Sequence, residues 1–214
     1  MEGITATFAV DSDVSAVTDF LCSDFVYRES LNAALHKKPA EVRPVIEYFT
    51  KECIQSGTSC VLRNEKGAIV GVRMSTFQYR EKEENDDGEN VETSENPGAI
   101  LGLLEKLGNG KWSRIPAGCD KLLYVVIISV ASEYGRRGLG RFLLEWGMER
   151  IQAEEGVNGI VAEATGCNSQ ALFAKLGYDV INEVAHSEYF DDSGNRIFNC
   201  TDGTYCAQLV FRRL

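Results

Sequence analysis

The residue types best suited to chemistry gather in the stretch Gly135-Arg136-Arg137-Gly138-Leu139-Gly140-Arg141. Glycines let a backbone bend tightly and come close to a ligand with no Cβ in the way. Free N–H groups where a helix begins, together with its dipole, offer a cradle for an anion. Arg136, Arg137 and Arg141 concentrate positive charge here, in a chain whose 22 Lys and Arg face 32 Asp and Glu for a net charge of −10. The combination specifies an anion of pyrophosphate size. It is not a P-loop, because no G-x-x-x-x-G-K-[ST] string occurs, and Leu143 stands where the third glycine of a G-x-G-x-x-G fingerprint belongs.

Other reactive side chains are fewer. Glu29 sits in Phe25-Val26-Tyr27-Arg28-Glu29, where aromatic neighbours would desolvate it. Read from the residues alone, it is an exposed helix-end carboxylate beside Arg28. Seven cysteines (22, 53, 60, 119, 167, 200, 206) include no C-x-x-C pair, and with His36 and His186 as the whole histidine complement no metal site is expected. The cysteines read as small packed hydrophobes in a reducing compartment, Cys167 among them. Neither histidine lies near a G-x-S-x-G elbow, which argues against a hydrolase, and both read as surface or strand-edge residues.

The elements that must position these groups follow from periodicity. Ile4–Val10 alternates as a strand, and Asp11-Ser12-Asp13 caps a helix with Val14, Val17, Phe20, Leu21 and Phe25 at helical spacing. A second helix follows Pro39 and ends near Ser56-Gly57. Thr58–Leu62 and Ala68–Tyr79 form a hairpin through Asn64-Glu65-Lys66-Gly67. Ile100–Leu107 is helical, and Leu122–Val130 is a continuous apolar run of the kind buried on both faces. One helical pattern covers Gly138–Gln152, Gly159–Ala164 is a strand, Ser169–Leu176 a helix, and Val180–Val184 and Cys206–Phe211 are strands. Strands mixed with helices around one sheet mean a single α/β (α+β) domain over residues 1–214.

Composition narrows the function. With 214 residues, 44% hydrophobic and 25% charged, the chain is long enough for one well-buried core. Its acidity works against binding nucleic acid. No run approaches the ~20 apolar residues of a spanning helix, and the N-terminus lacks a basic region before an apolar stretch, so a cytoplasmic protein without a membrane partner is expected. Residues 80–98, almost entirely polar and acid-rich, read as a mobile surface loop.

The glycine-arginine loop, set between a buried strand and a helix, resembles the acetyl-CoA loop of the GNAT-superfamily acetyltransferases, R/Q-x-x-G-x-G/A, with Gly135 in place of the leading Arg or Gln. Ser169-Gln170-Ala171-Leu172-Phe173-Ala174-Lys175-Leu176-Gly177-Tyr178 resembles the family's second signature. Within the superfamily the chain is most similar to the invertebrate arylalkylamine N-acetyltransferase-like branch, the dopamine- and serotonin-acetylating type. Phe25–Asn32, Ile128-Ser129-Val130 and Ser169 carry that likeness. The resemblance implies a GNAT fold with a mixed sheet of about six to seven strands flanked by helices. It implies acetyl-CoA as co-substrate, held by Ile128, Ser129, Val130, Gly135, Arg136, Arg137, Gly138, Leu139, Gly140, Arg141 and Ser169. The acceptor would be a small primary amine, in a monomer or weak dimer. An alkylamine must lose a proton before it attacks a thioester. The resemblance gives that proton to Glu29, the carbonyl oxygen to the N–H near Val130, and a relay to Ser129. Phe173 stands where many members carry a tyrosine that protonates the thiolate. A polyamine, a protein lysine or a protein N-terminus as acceptor, or a silent acyl-CoA-binding domain, are the alternatives.

Overall fold

The computed structural model describes residues 2–81, 98–191 and 193–214. Of the acidic stretch 80–98, residues 82–97 lie outside the described residues. Strands β1 (Ile4–Phe8), β2 (Cys60–Asn64), β3 (Ile69–Tyr79), β4 (Lys121–Val130), β5 (Gly159–Ala164), β6 (Asp179–Ala185) and β7 (Cys206–Arg213) form one sheet in the order β1-β2-β3-β4-β5-β7-β6. All neighbours are antiparallel except β4 and β5 at the centre. The expected mixed α/β sheet is present, with seven strands.

Helices cover both faces, as a sheet of such apolar strands requires. On one face lie α1 (Val14–Phe20), α2 (Val26–Arg28), α3 (Ser30–Ala34), α4 (Pro39–Gln55), α5 (Ala99–Gly108) and α6 (Lys111–Arg114). Val17, Leu21, Ile46 and Ile54 pack there on Val61, Val72 and Met74, while Leu103, Leu107 and Trp112 pack on Leu122, Val161 and Phe211. The other face carries α7 (Leu139–Glu145), α8 (Met148–Glu155) and α9 (Cys167–Lys175). Their Leu143, Leu144, Ile151 and Phe173 meet Leu62, Leu123, Val125 and Ile160.

Two irregularities in β4 shape the centre of the sheet. Met74 pairs with Ile127 and Ser75 with Val125, so Val126 is an extra residue that bends the strand. Pairing of β4 with β5 covers only Leu122–Val125 against Gly159–Ala162. Beyond those residues the two strands part. The run Leu122–Val130 is therefore buried on both faces only in its first half, and its second half forms a wall.

The expected helix over Gly138–Gln152 is broken in two. Trp146 is extended and Gly147 has φ +72°, a left-handed conformation suited to glycine. A Cβ at Gly147 would lie 2.8 Å from the Phe8 ring, which also packs on Trp146 at 4.7 Å between centroids. Apolar spacing continues through the break, which hides it from periodicity. The carbonyls released there are taken by Arg73, which is fully buried and donates to Leu143 O at 2.6 Å, Trp146 O at 3.0 Å and, from its other Nη, Thr58 O at 2.8 Å. His186, expected at the surface or at a strand edge, follows the edge strand β6 but is not exposed. It is buried, with Phe198 5.5 Å away and burial lowering its pKa, because the segment before β7 folds over the end of β6. All seven cysteines are free thiols; Cys167 and Cys200 are half-buried and the rest buried.

Arg73→Met would take the guanidinium donor from the Leu143 and Trp146 carbonyls, while Thr58 O keeps the Ser75 hydroxyl at 3.2 Å. Each such loss costs about 1–3 kcal/mol, so a fall in unfolding free energy of about 2 kcal/mol or more is expected. Denaturant titration checks it through a lower midpoint at unchanged slope.

Candidate functional site

Where β4 and β5 part, a cavity of about 610 Å³ runs through the sheet from one helical layer to the other. Its floor is the fork itself, Val125 and Ala162, and its first wall is Val126–Val130. The N–H of Ala131 bonds to Val70 O, toward β3. N–H groups alternate sides along a strand, so those of Ile128 and Val130 point away from β3, into the opening that β5 has left. The carbonyl of Val130 faces the same way, where Arg28 donates to it at 2.7 Å. Arg28 also forms an ion pair with Asp24. That pairing, and not one with Glu29, is where its charge goes.

On the α7–α9 side the cavity is lined by Gly135, Arg136, Gly138, Leu139, Gly140 and Arg141. Gly138 at φ +79° and Arg136 at φ +60° turn the chain sharply ahead of α7. A Cβ on Gly140 would lie 3.0 Å from Leu172 of α9, so glycine there lets the loop and α9 close together. Arg136 and Arg141 are exposed at the mouth, Arg141 with Glu145 at 2.8 Å. Arg137 is the expected loop residue that does not line the cavity. It turns back over the Tyr134 ring at 4.9 Å and donates to Glu133 O. Ser129 and Ser169 both line the cavity, and the Ser169 hydroxyl donates to Gly166 O at 2.8 Å.

The α1–α6 side is acidic. Glu29 occupies the break between α2 and α3 and caps α3, with ψ 130° after the helical turn that ends at Arg28. Its Oε1 accepts from Leu31 N at 3.1 Å and Thr165 Oγ1 at 2.8 Å; its Oε2 accepts from Asn32 N at 2.8 Å and Asn32 Nδ2 at 2.7 Å. Roughly four lone-pair sites are available to a carboxylate, and all are engaged. Ser30, buried, donates to Asp202 at 2.6 Å. Burial works against the charge of Asp202, but hydrogen bonds from Ser30, Thr204 and Cys167 outweigh it and hold the carboxyl below its ordinary range.

Glu163, Thr165 and Asp202 line the cavity too and were not among the residues expected there. One signal was available: Glu163 is the single charged residue in the apolar strand GIVAEA. Phe173, which stands where the resemblance placed a tyrosine in many members, is buried against Tyr178 at 4.9 Å. Among the described residues no helix is long and apolar enough to cross a membrane, and no group of three or more His, Cys, Asp or Glu could hold a metal ion.

The chain is similar in fold to solved acetyltransferases. Arylalkylamine N-acetyltransferase 2 of Aedes aegypti superposes with a TM-score of 0.82 at 23% identity, covering 99% of each chain. The polyamine N-acetyltransferase of Drosophila melanogaster, which forms N-acetylagmatine, gives 0.79 at 22% identity over 99% of this chain and 100% of that one. Naa50 of Arabidopsis thaliana, solved with the bisubstrate analogue CoA-Ac-MVNAL, gives 0.52 at 11% identity over 99% of both. At these identities the likeness shows the fold alone. No curated protein matches by sequence. The profile of the acetyltransferase (GNAT) family matches residues 26–178, which span the Glu29 cap, the fork, the glycine-arginine loop and α9. The chain is an acetyltransferase of the GNAT family.

Proposed function

We propose that the chain moves the acetyl group of acetyl-CoA to the primary amine of a small arylalkylamine by direct attack on the thioester. The observation that carries this reading is one cavity with a basic, glycine-lined mouth on one side of the sheet and carboxylates on the other. GNAT proteins use acetyl-CoA, and the residues present suit it. The loop from Gly135 to Arg141 meets the pyrophosphate, and the open edge of β4 meets the pantetheine arm and thioester. Solved proteins of the same fold act on arylalkylamines and on agmatine, which supports an amine acceptor. Phe25 on the acidic side gives an aromatic ring a face to pack on.

The acceptor arrives as an ammonium ion and must shed a proton to expose its lone pair. Of the four donors on Glu29, three are N–H groups and one is the Thr165 hydroxyl. Thr165 is therefore the path by which a proton reaches the carboxylate: its oxygen takes the amine proton as its own passes to Glu29. The nitrogen attacks the carbonyl carbon, and the oxygen gains charge opposite the Val130 N–H. Collapse breaks the C–S bond and expels the CoA thiolate, and the proton still carried by the attacking nitrogen passes through the Ser129 hydroxyl to that thiolate, leaving the neutral amide.

Thiol release from acetyl-CoA with dopamine, serotonin, tyramine, spermidine and a lysine peptide tests the reading. Turnover is expected with the aromatic amines. Silence across the panel while CoA still binds in calorimetry overturns it. Glu29→Gln and Thr165→Val should each lower kcat by about 10²-fold or more, with Thr165→Ser retaining most of it. Indifference to both would remove the proposed proton path. Gly138→Ala forces an L side chain into the left-handed region at about 1–2 kcal/mol. It should weaken CoA binding about fivefold or more in calorimetry, with a shift of only a few degrees in melting temperature.

A further inference from the structure

Glu163 has no part in that proton path, yet it lines the same cavity as Glu29 and Thr165. It is the first residue of β5 beyond the last pair with β4, Ala162 with Val125. Side chains alternate along a strand, so Ala162 and Ala164 face α7–α9 while Val161 and Glu163 face α1–α6. Thr165, one residue past the strand end, follows on the side of Glu29. Glu163 lines the cavity. Tyr124, which lies behind the wall and not on it, donates to its Oε2 at 2.6 Å. Glu163 thus differs from Glu29 in one decisive respect. Glu29 has every lone pair engaged, whereas among the described residues Tyr124 is the one hydrogen-bond partner of Glu163, and no cation forms an ion pair with it. Burial pushes its carboxyl up, with the Tyr124 hydrogen bond and the Lys111 charge pulling the other way.

A carboxylate in a cavity wall with no ion-pair partner gains from a cation brought within hydrogen-bond reach, and an ammonium leaving water gains in the same way. We propose that Glu163 docks the acceptor's ammonium group and so selects cationic amines, with Tyr124 as the positioning residue that aims it. This rests on the amine-acetylating reading and deepens it: Glu163 sets affinity for the acceptor, and Glu29 with Thr165 sets the rate of proton removal.

Steady-state kinetics of wild type, Glu163→Gln, Glu163→Asp and Tyr124→Phe with tyramine and agmatine test the assignment. Losing a charge-assisted hydrogen bond predicts that Glu163→Gln raises the amine KM roughly ten- to hundredfold. The KM for acetyl-CoA and kcat should stay within about threefold. Glu163→Asp should recover part of the loss, and Tyr124→Phe should raise the amine KM less than Glu163→Gln. An unchanged amine KM in Glu163→Gln overturns the proposal. So does a fall in kcat with a displaced pH profile, which would make Glu163 the proton acceptor itself. Should wild type release no thiol with any amine, the functional reading fails, and docking is read by titrating tyramine into the CoA-bound protein. Binding heat present in wild type and lost in Glu163→Gln then supports docking, and equal heats or none overturn it. Unaltered CoA affinity in each variant shows that it is folded.

Discussion

Two parallel strands at the centre of the sheet stop sharing hydrogen bonds after Val125 and Ala162, and the whole site depends on that separation. Parallel strands are normally buried on both faces and paired along their length. Parting them exposes backbone donors and acceptors that need other partners. The Val126 bulge bends β4 away and keeps its pairing with β3 intact through Val130. On the open edge, the Val130 carbonyl is taken by Arg28 from α2. The N–H groups on that edge remain directed into the cavity, which is what a carbonyl oxygen gaining charge requires.

Holding such a fork open demands rigidity around it, and Arg73 supplies much of it. It pairs in β3 with Ile128 of β4, so it sits on the strand that backs the wall. From there its guanidinium gathers the carbonyls at the end of α7 and that of Thr58 just ahead of β2. A buried cation without a carboxylate is costly in isolation, but carbonyls at a helix C-terminus carry partial negative charge that offsets it. The far end of α7 begins at Gly138 and Leu139 in the cavity wall. Core packing, the helix break and the anion cradle are therefore one mechanical unit.

That mechanical coupling explains which features were legible in the sequence. The apolar run of β4, the hairpin around Asn64 and the glycine-arginine loop are local patterns, each written in consecutive residues. The break at Trp146-Gly147 is not visible in the apolar period, and the Phe8 ring packed against it comes from the first strand, far away in sequence. The buried state of His186 depends likewise on Phe198 folding over it. Glu29 stood out through its neighbours, but its four donors include Thr165, which only the tertiary structure brings to it. Asp202 joins Ser30 across most of the chain and carries no local mark at all.

The charge pattern resolves an apparent conflict. On the proposed reading, a chain of net charge −10 holds both a polyanionic donor and a cationic acceptor. Global charge favours the second and opposes the first. The sheet separates the two demands, since Arg136 and Arg141 stand at the mouth beside α7 while Glu29, Glu163 and Asp202 lie on the α1–α6 side. Fields from exposed arginines are screened within about 10 Å at ordinary salt, whereas carboxylates in the cavity wall are screened less. Donor and acceptor can then approach the thioester from opposite faces, each drawn by charge of its own complement. The fork is the one place where the strands leave room for them to meet.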